Sequence, residues 1–339
     1  MLIGLILLAG VVQIFIGNRQ TYRLQEASAS VQESGRFASE FVTRDARMVG
    51  FMGCTNNITP VNNLDPGKHG AAAKLDDTVG LFNSAGALRG YSYDGTFPAD
   101  LVTLGLTAAE VVQGTDIIVI QRAEACPGGD VVCHNNQSTG TKDCPGGSIN
   151  AANYKIADNT TCNIQQNDVL LVTNCQTADI HGVTNNPNGS IHVTITHGAN
   201  LNTSPKLSNS YGEGSAIYRM TASAYYVGFG ASGEPALFKF QMQGTGFVAE
   251  ELVEGVYDMD ILYGLDTDND KIANEYRTAN TLNIAEWESV VAIRFTFRIR
   301  STMDNALQTA SSYTFNGAVV SDRRLRRDFT TTVAVRNRI

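Results

Sequence analysis

The stretch LIGLILLAGVVQIF, Leu2 to Phe15, read with the forty residues after it, decides the fold of this chain. Leu2 to Ile16 is apolar except at Gly4, Gly10 and Gln13. That is about 15 residues, short of the roughly 20 a helix needs to cross a bilayer. Three readings compete. A signal-peptide core would want a basic residue before it and a small-x-small site after it, and neither is present. A buried helix is the second reading. The third is a membrane helix whose first turns are not in this chain.

The next segment favours the third. Between Gln13 and Gly50 there is no proline, and the glycines are Gly17, Gly35 and the closing Gly50. Leu24, Ala27, Val31, Ala38, Phe41 and Met48 recur at spacings of three, four and seven. Such a seam predicts one long amphipathic helix. Arg36, Glu40 and Arg44 lie four apart and off the seam, which adds weak support. Gly50 and Gly53 punctuate the end. An apolar half running into an amphipathic half gives a single rod of roughly 70 Å, at about 1.5 Å per residue. An anchor followed by a coiled-coil stalk is the alternative.

The 339 residues suit one large domain or two small ones. With 43% hydrophobic and 17% charged residues, the chain can bury a sizeable core. Its 32 glycines and abundant Asn, Thr and Ser between short apolar runs describe strands and turns. The net charge of −8 argues against a general nucleic-acid binder.

Ile117 to Gln121 and Val169 to Thr173 read as buried strands, and His192 to Thr196 as a half-buried one. Ala216–Gly228 and Leu237–Met242 read as a pair around a Gly-Ala-Ser-Gly turn. Leu252–Tyr263 and Val290–Ile299 are longer candidates. On the latter, Arg294, Arg298 and Arg300 share one face, and Phe295, Phe297 and Ile299 the other. That pattern predicts a sheet with one wet face. Trp287 reads as a core or rim anchor. The expected fold is α+β, with a long N-terminal helix (1–53) packed on an antiparallel β-sheet head (54–339). A cysteine-rich loop insertion is expected at 124–165.

Leu2–Phe15, with RQTYRLQEA (Arg19–Ala27) and ESGRFASEFVTRDARMVGFMGC (Glu33–Cys54), resembles the N-terminal helix of PilW-type minor pilins. GTDIIVIQRA (Gly114–Ala123), NDVLLVTNCQTADIHGVT (Asn167–Thr184), Leu252–Asp270 and DRRLRRDFTTTVAVRNR (Asp322–Arg338) are similar to the same family. Family members start with a basic leader, a cleavage glycine and a Phe-Thr-Leu-Ile-Glu-like run, none of which is here. Aligned on that motif, Met1 is expected about ten residues inside the mature helix. The resemblance implies a pilin-like fold and a structural subunit, not an enzyme. It would prime type IV pilus assembly at the tip, supporting twitching motility and cell adhesion. The implied partners are other minor pilins, the major pilin, a large tip adhesin and the inner-membrane assembly platform. The implied location is the inner membrane with a periplasmic head, then the extracellular pilus tip. A J-like minor pseudopilin of type II secretion shares the architecture and is the alternative. An anchored hydrolase would need a nucleophile–base pair, and none stands out.

One constellation looks metal-binding. Asp266, Asp268 and Asp270 alternate in a turn, with the Ile272 carbonyl and Asn274 as further oxygens for calcium. Lys271 stands where an EF-hand has glycine, and Arg277 where it has a bidentate glutamate. The competing reading is a solvated acidic turn. His69, His134, His181, His192 and His197 show no ligand spacing and read as surface or loop residues. The six cysteines lack CxxC spacing and read as disulfides in an oxidising compartment. The pairing expected from two Cys-Pro-Gly-Gly turns is Cys126–Cys133 and Cys144–Cys162, with Cys54–Cys175 tying the helix end to the sheet. It is one of fifteen connectivities. The Arg323–Arg327 cluster reads as the solvated face of an edge strand or a pilin contact, ahead of DNA binding.

Overall fold

The computed structural model describes residues 2–54, 59–65, 67–69, 87–133, 150–244 and 246–337. Its first element is one unbroken helix, α1 (Leu2–Ala46), closed by turns through Gly50. With neither proline nor a helix-ending glycine before Gly50, nothing in the chain breaks it.

The head is built of strands. A ten-stranded sheet holds β1 (Val61–Asn62), β2 (Leu88–Ser92), β3 (Asp116–Cys133), β4 (Asn153–Ile156), β5 (Val169–Thr173), β6 (Ala178–Gly182), β7 (Val193–Thr196), β8 (Ser215–Phe229), β9 (Pro235–Gln243) and β10 (Gly246–Glu254). Its pairs are antiparallel except β1 with β6. After it come β11 (Val256–Leu265), β12 (Glu275–Arg277), β13 (Val290–Arg300), the hairpin β14 (Ser311–Phe315) to β15 (Ala318–Asp322), and β16 (Arg326–Ala334). Four of these form a second antiparallel sheet in the order β12-β11-β13-β16. The class is therefore α+β.

The core explains the apolar patterning. On β3, Ile118 and Ile120 face the cluster shared with α1 and the four-stranded sheet, while Ile117 and Val119 face a second cluster. On β8, Tyr225 and Val227 take the first side, and Ala224 and Tyr226 the second. The middle of the large sheet is thus buried on both faces, and its strands read as apolar runs, not alternations. A short helix, α2 (Ala99–Leu104), places Leu101 and Leu104 in the second cluster. The four-stranded sheet has one wet face. Along β13 the buried residues are Ile293, Phe295, Phe297 and Ile299, alternating with half-buried Arg294, Thr296, Arg298 and Arg300. Trp287 is buried against Tyr263, at 4.7 Å between ring centroids.

Several expectations need correction. The single strand expected over Leu252–Tyr263 is two, β10 and β11, parted by Gly255. Gly255 has φ +89°, and a Cβ there would lie 2.7 Å from the Arg300 carbonyl oxygen, so glycine is required. The expected insertion at 124–165 begins as sheet: β3 runs on to Cys133 and pairs with β4. Residues 134–149, with His134 and Cys144, lie outside the described residues.

Candidate functional site, an apolar helix held on a β head

Every described side chain from Ile3 to Arg19 is exposed on all sides of α1. Ile3 is 77% exposed, Leu7 66%, Val11 63% and Phe15 67%. An apolar surface open all round is one that lipid or other apolar helices must cover. The exposed apolar run covers about 22 Å at 1.5 Å per residue, against a bilayer core of about 30 Å. Among the described residues, no helix is long and apolar enough to cross a membrane.

From Gln20 onward the helix meets the head, where the Gln20 amide donates to the Ala306 carbonyl at 2.8 Å. The seam that packs is Ala27, Val31, Ala38, Val42, Ala46 and Val49, all 1% exposed or less. Three predicted seam residues, Ala27, Val31 and Ala38, belong to it. Leu24 and Phe41 do not, being 41% and 42% exposed, and Met48 is half-buried. Phe41 and Met48 fall about 60–80° from Ala38 on the helix wheel, at the flank of the contact line, while Leu24 shares the angle of Val42 but lies about five turns nearer the uncovered end. Gly35 marks the closest approach, since a Cβ there would sit 2.6 Å from the Phe329 ring of β16.

A buried charge secures the end of the helix. Asp45 is 6% exposed. It accepts from the Tyr225 hydroxyl at 2.5 Å, the Lys239 ammonium at 3.0 Å and the Arg122 guanidinium at 3.2 Å. These partners come from β8, β9 and β3. Burial raises its pKa, but the Tyr225 hydrogen bond and the two cations outweigh that and hold the carboxyl below its ordinary value. Sequence reasoning missed Asp45. Its one signal is an acidic residue at the buried angle of the helix wheel, beside Val42 and Val49.

Cys54 and Cys175 are bridged, with Cα atoms 5.3 Å apart, and tie the segment after α1 to the turn following β5. The other described bridge is Cys126–Cys162, at 5.0 Å between Cα atoms. It replaces the expected Cys126–Cys133 and Cys144–Cys162 pairs. Cys126 and Cys133 stand on either side of a bulge in β3, and Cys126 is bonded to Cys162 of the segment after β4 instead. Cys133 is disulfide-bonded too.

The acidic turn joins β11 to β12. Carboxylate oxygens of Asp266, Asp268 and Asp270 lie within 4.8 Å of one another. Backbone N–H groups already serve them: Lys271 donates to Asp266 at 2.9 Å, and Ile272 to Asp270 at 2.8 Å. Burial raises the Asp266 pKa, but its backbone donors outweigh this and hold the carboxyl below its ordinary value. The Asn274 side-chain oxygen accepts from the Thr267 N–H at 2.7 Å, and its amide donates to Asp268 at 3.3 Å. Arg277 pairs with Glu275 at 3.1 Å and Glu286 at 2.7 Å. A cation here would find three carboxylates but no bidentate glutamate, a poor match to the 6–8 oxygens calcium takes.

Three of the five histidines contradict the surface reading. His69, His181 and His197 are fully buried. The Tyr154 hydroxyl lies 2.9 Å from His181 Nε2, and the His181 and His197 rings are 5.1 Å apart. His181 lies on β6, which is buried throughout and sits between β1 and β5, and His69 Nε2 lies 3.1 Å from the Asn167 carbonyl oxygen. His192, at φ +51°, precedes β7. Among the C-terminal arginines, Arg324 is held by Glu234 at 2.8 Å and Arg326 by Asp322. Arg323, Arg327 and Arg336 are exposed. Arg338 lies outside the described residues.

Residues 224–337 match the family model described as PilW, Type IV Pilus-assembly protein W. The match covers the end of β8 and everything to the end of β16, and so includes the whole sheet that grips α1. No curated protein and no solved structure matches the chain.

Proposed function

We propose, with the PilW-type region at residues 224–337 as the premise, that this chain is a minor pilin, a structural subunit that helps build a type IV pilus. The observation that carries the reading is the division of α1. Its first half is apolar and uncovered on every side, and its second half is fixed to the head by packing and by Asp45. Before assembly, lipid of the inner membrane covers the uncovered half and the head stands in the periplasm. In the fibre, the apolar helices of neighbouring subunits replace the lipid at little change in solvation, because both surroundings are hydrocarbon. The head, which takes no part in that exchange, supplies the surface shown at the pilus tip. The partners are other minor pilins, the major pilin, a large tip adhesin and the assembly platform. Twitching and adhesion depend on the chain through the fibre, with no bond-making chemistry of its own.

The test uses residues exposed on the uncovered half of α1. Leu8→Asp with Val12→Asp alters side chains 63% and 48% exposed, so the head should melt as before. Cells carrying the double variant should lose surface pili. Normal pili and twitching would show that the helix is not in the fibre.

A further inference from the structure

We propose that the outward face of the second half of α1 is a docking surface for an acidic protein segment of a neighbouring subunit. The inference rests on the pilus-subunit reading for the identity of the neighbour. Arg44, Arg47 and Arg336 line a cavity of about 410 Å³ where the helix ends. All three are exposed, and among the described residues none has an ion pair. Glu40 also lines the cavity, so positive charge is in excess. Other arginines of this head are held by carboxylates, Arg298 by Asp258, and Arg300 and Arg324 by Glu234, while Arg327 on β16 and Arg323 in the segment before it are exposed.

The same face carries aromatic rings. Phe37 and Phe41 are 37% and 42% exposed, with centroids 6.4 Å apart, and the Arg36 guanidinium lies 5.1 Å over Phe37. At about 100° per residue, positions 36, 37, 41, 44 and 47 fall in one arc of about 140°, away from the seam. Exposed arginine beside exposed aromatic rings is the composition of protein interfaces, where such residues anchor binding. A guanidinium fork receives a carboxylate through two parallel hydrogen bonds. The partner therefore offers carboxylates to Arg44, Arg47 and Arg336, and an apolar side chain to Phe37 and Phe41. Lipid phosphate is too far away. From Ile16 to Arg44 the helix rises about 42 Å, beyond the headgroups of a bilayer holding the apolar end. Nucleic acid is disfavoured by the net charge of −8.

The experiment titrates the full chain, in detergent, with a fluorescent peptide of six glutamates around one leucine. Saturable binding that weakens about tenfold from 50 to 200 mM salt is expected. Arg44→Glu with Arg47→Glu should weaken it at least tenfold, and Phe41→Ser at least threefold, with melting temperatures unchanged. If the charge reversals disturb folding, Arg44→Gln with Arg47→Gln replaces them. Inorganic phosphate and glycerol phosphate, which stands for a lipid headgroup, should displace the peptide poorly. No binding, binding indifferent to either variant, or displacement by equimolar phosphate would overturn the inference. The Leu8/Val12 experiment does not depend on it. Lost piliation there with no peptide binding here would end this inference alone.

Discussion

Replacing Asp45 with alanine should loosen α1 from the head more than any exposed substitution can. The change removes one carboxylate and leaves three groups facing its place: the Tyr225 hydroxyl, the Lys239 ammonium and the Arg122 guanidinium. Breaking a buried ion pair by removing one partner costs about 3–5 kcal/mol. Two features pull the figure to the low end. The Lys239 and Arg122 side chains are each 17% exposed, so water reaches them, and Arg122 keeps Glu124 at 2.5 Å. We expect about 3 kcal/mol for Asp45→Ala. For a chain of 339 residues that corresponds to a fall of about 4 °C in melting temperature. Asp45→Asn keeps an acceptor but loses the charge, and should cost about half as much. A cycle with Lys239→Met separates the pair from the site, because the double variant should be less destabilised than the two single ones summed. The pH dependence gives an independent check. The folded pKa of Asp45 lies below its unfolded value of 3.8, so its stabilisation is complete above about pH 4 and is lost as pH falls through the folded pKa. Asp45→Asn should flatten the stability curve in that acid range. Urea unfolding with disulfides intact, followed by circular dichroism, measures all of this. A loss under about 0.5 kcal/mol for Asp45→Ala would refute the reasoning.

Asp116 runs the opposite way. Its carboxylate accepts from the Ile261 N–H at 2.7 Å, and burial pushes its pKa up to about 6 despite that bond and one from Ser92. The folded state holds a proton that the unfolded state releases above about pH 4, so stability falls as pH rises from about 4 to about 6. Asp116→Asn keeps the acceptor and should add up to about 2 kcal/mol at neutral pH. It should remove only part of the slope, since Asp258, with a pKa also raised to about 6, keeps its own share. Millimolar calcium should leave the melting temperature unchanged, because the Asp266–Asp270 carboxylates are already served by backbone N–H groups and Arg277 replaces the bidentate ligand. A rise abolished by Asp268→Asn with Asp270→Asn would instead establish a cation site.

Local order was legible in the chain wherever one period held over a long stretch. The unbroken helix follows from the lack of breakers up to Gly50, and the two faces of β13 from strict alternation. The hairpin of β8 and β9 follows from two apolar runs around a glycine turn. The β14–β15 hairpin carried a signal that the apolar runs did not show. Asn316 and Gly317, at φ +50° and +72°, form the tight turn that an Asn-Gly pair favours.

What the sequence by itself determined is therefore the rod, its uncovered apolar end and the strand-rich character of the head, because each depends on neighbours along the chain. Tertiary structure alone decided which side of the rod is covered. A seam read by hydrophobicity put Leu24 and Phe41 inside, but Phe41 falls on the flank and Leu24 lies toward the end that the head leaves uncovered, while Gly35, Ala38 and Val42 meet the sheet. It also decided that Asp45 is buried, that Cys126 meets Cys162, and that three histidines lie in the interior. Each of these turns on which distant segments meet, and distance in space between residues far apart in sequence leaves no local period to read.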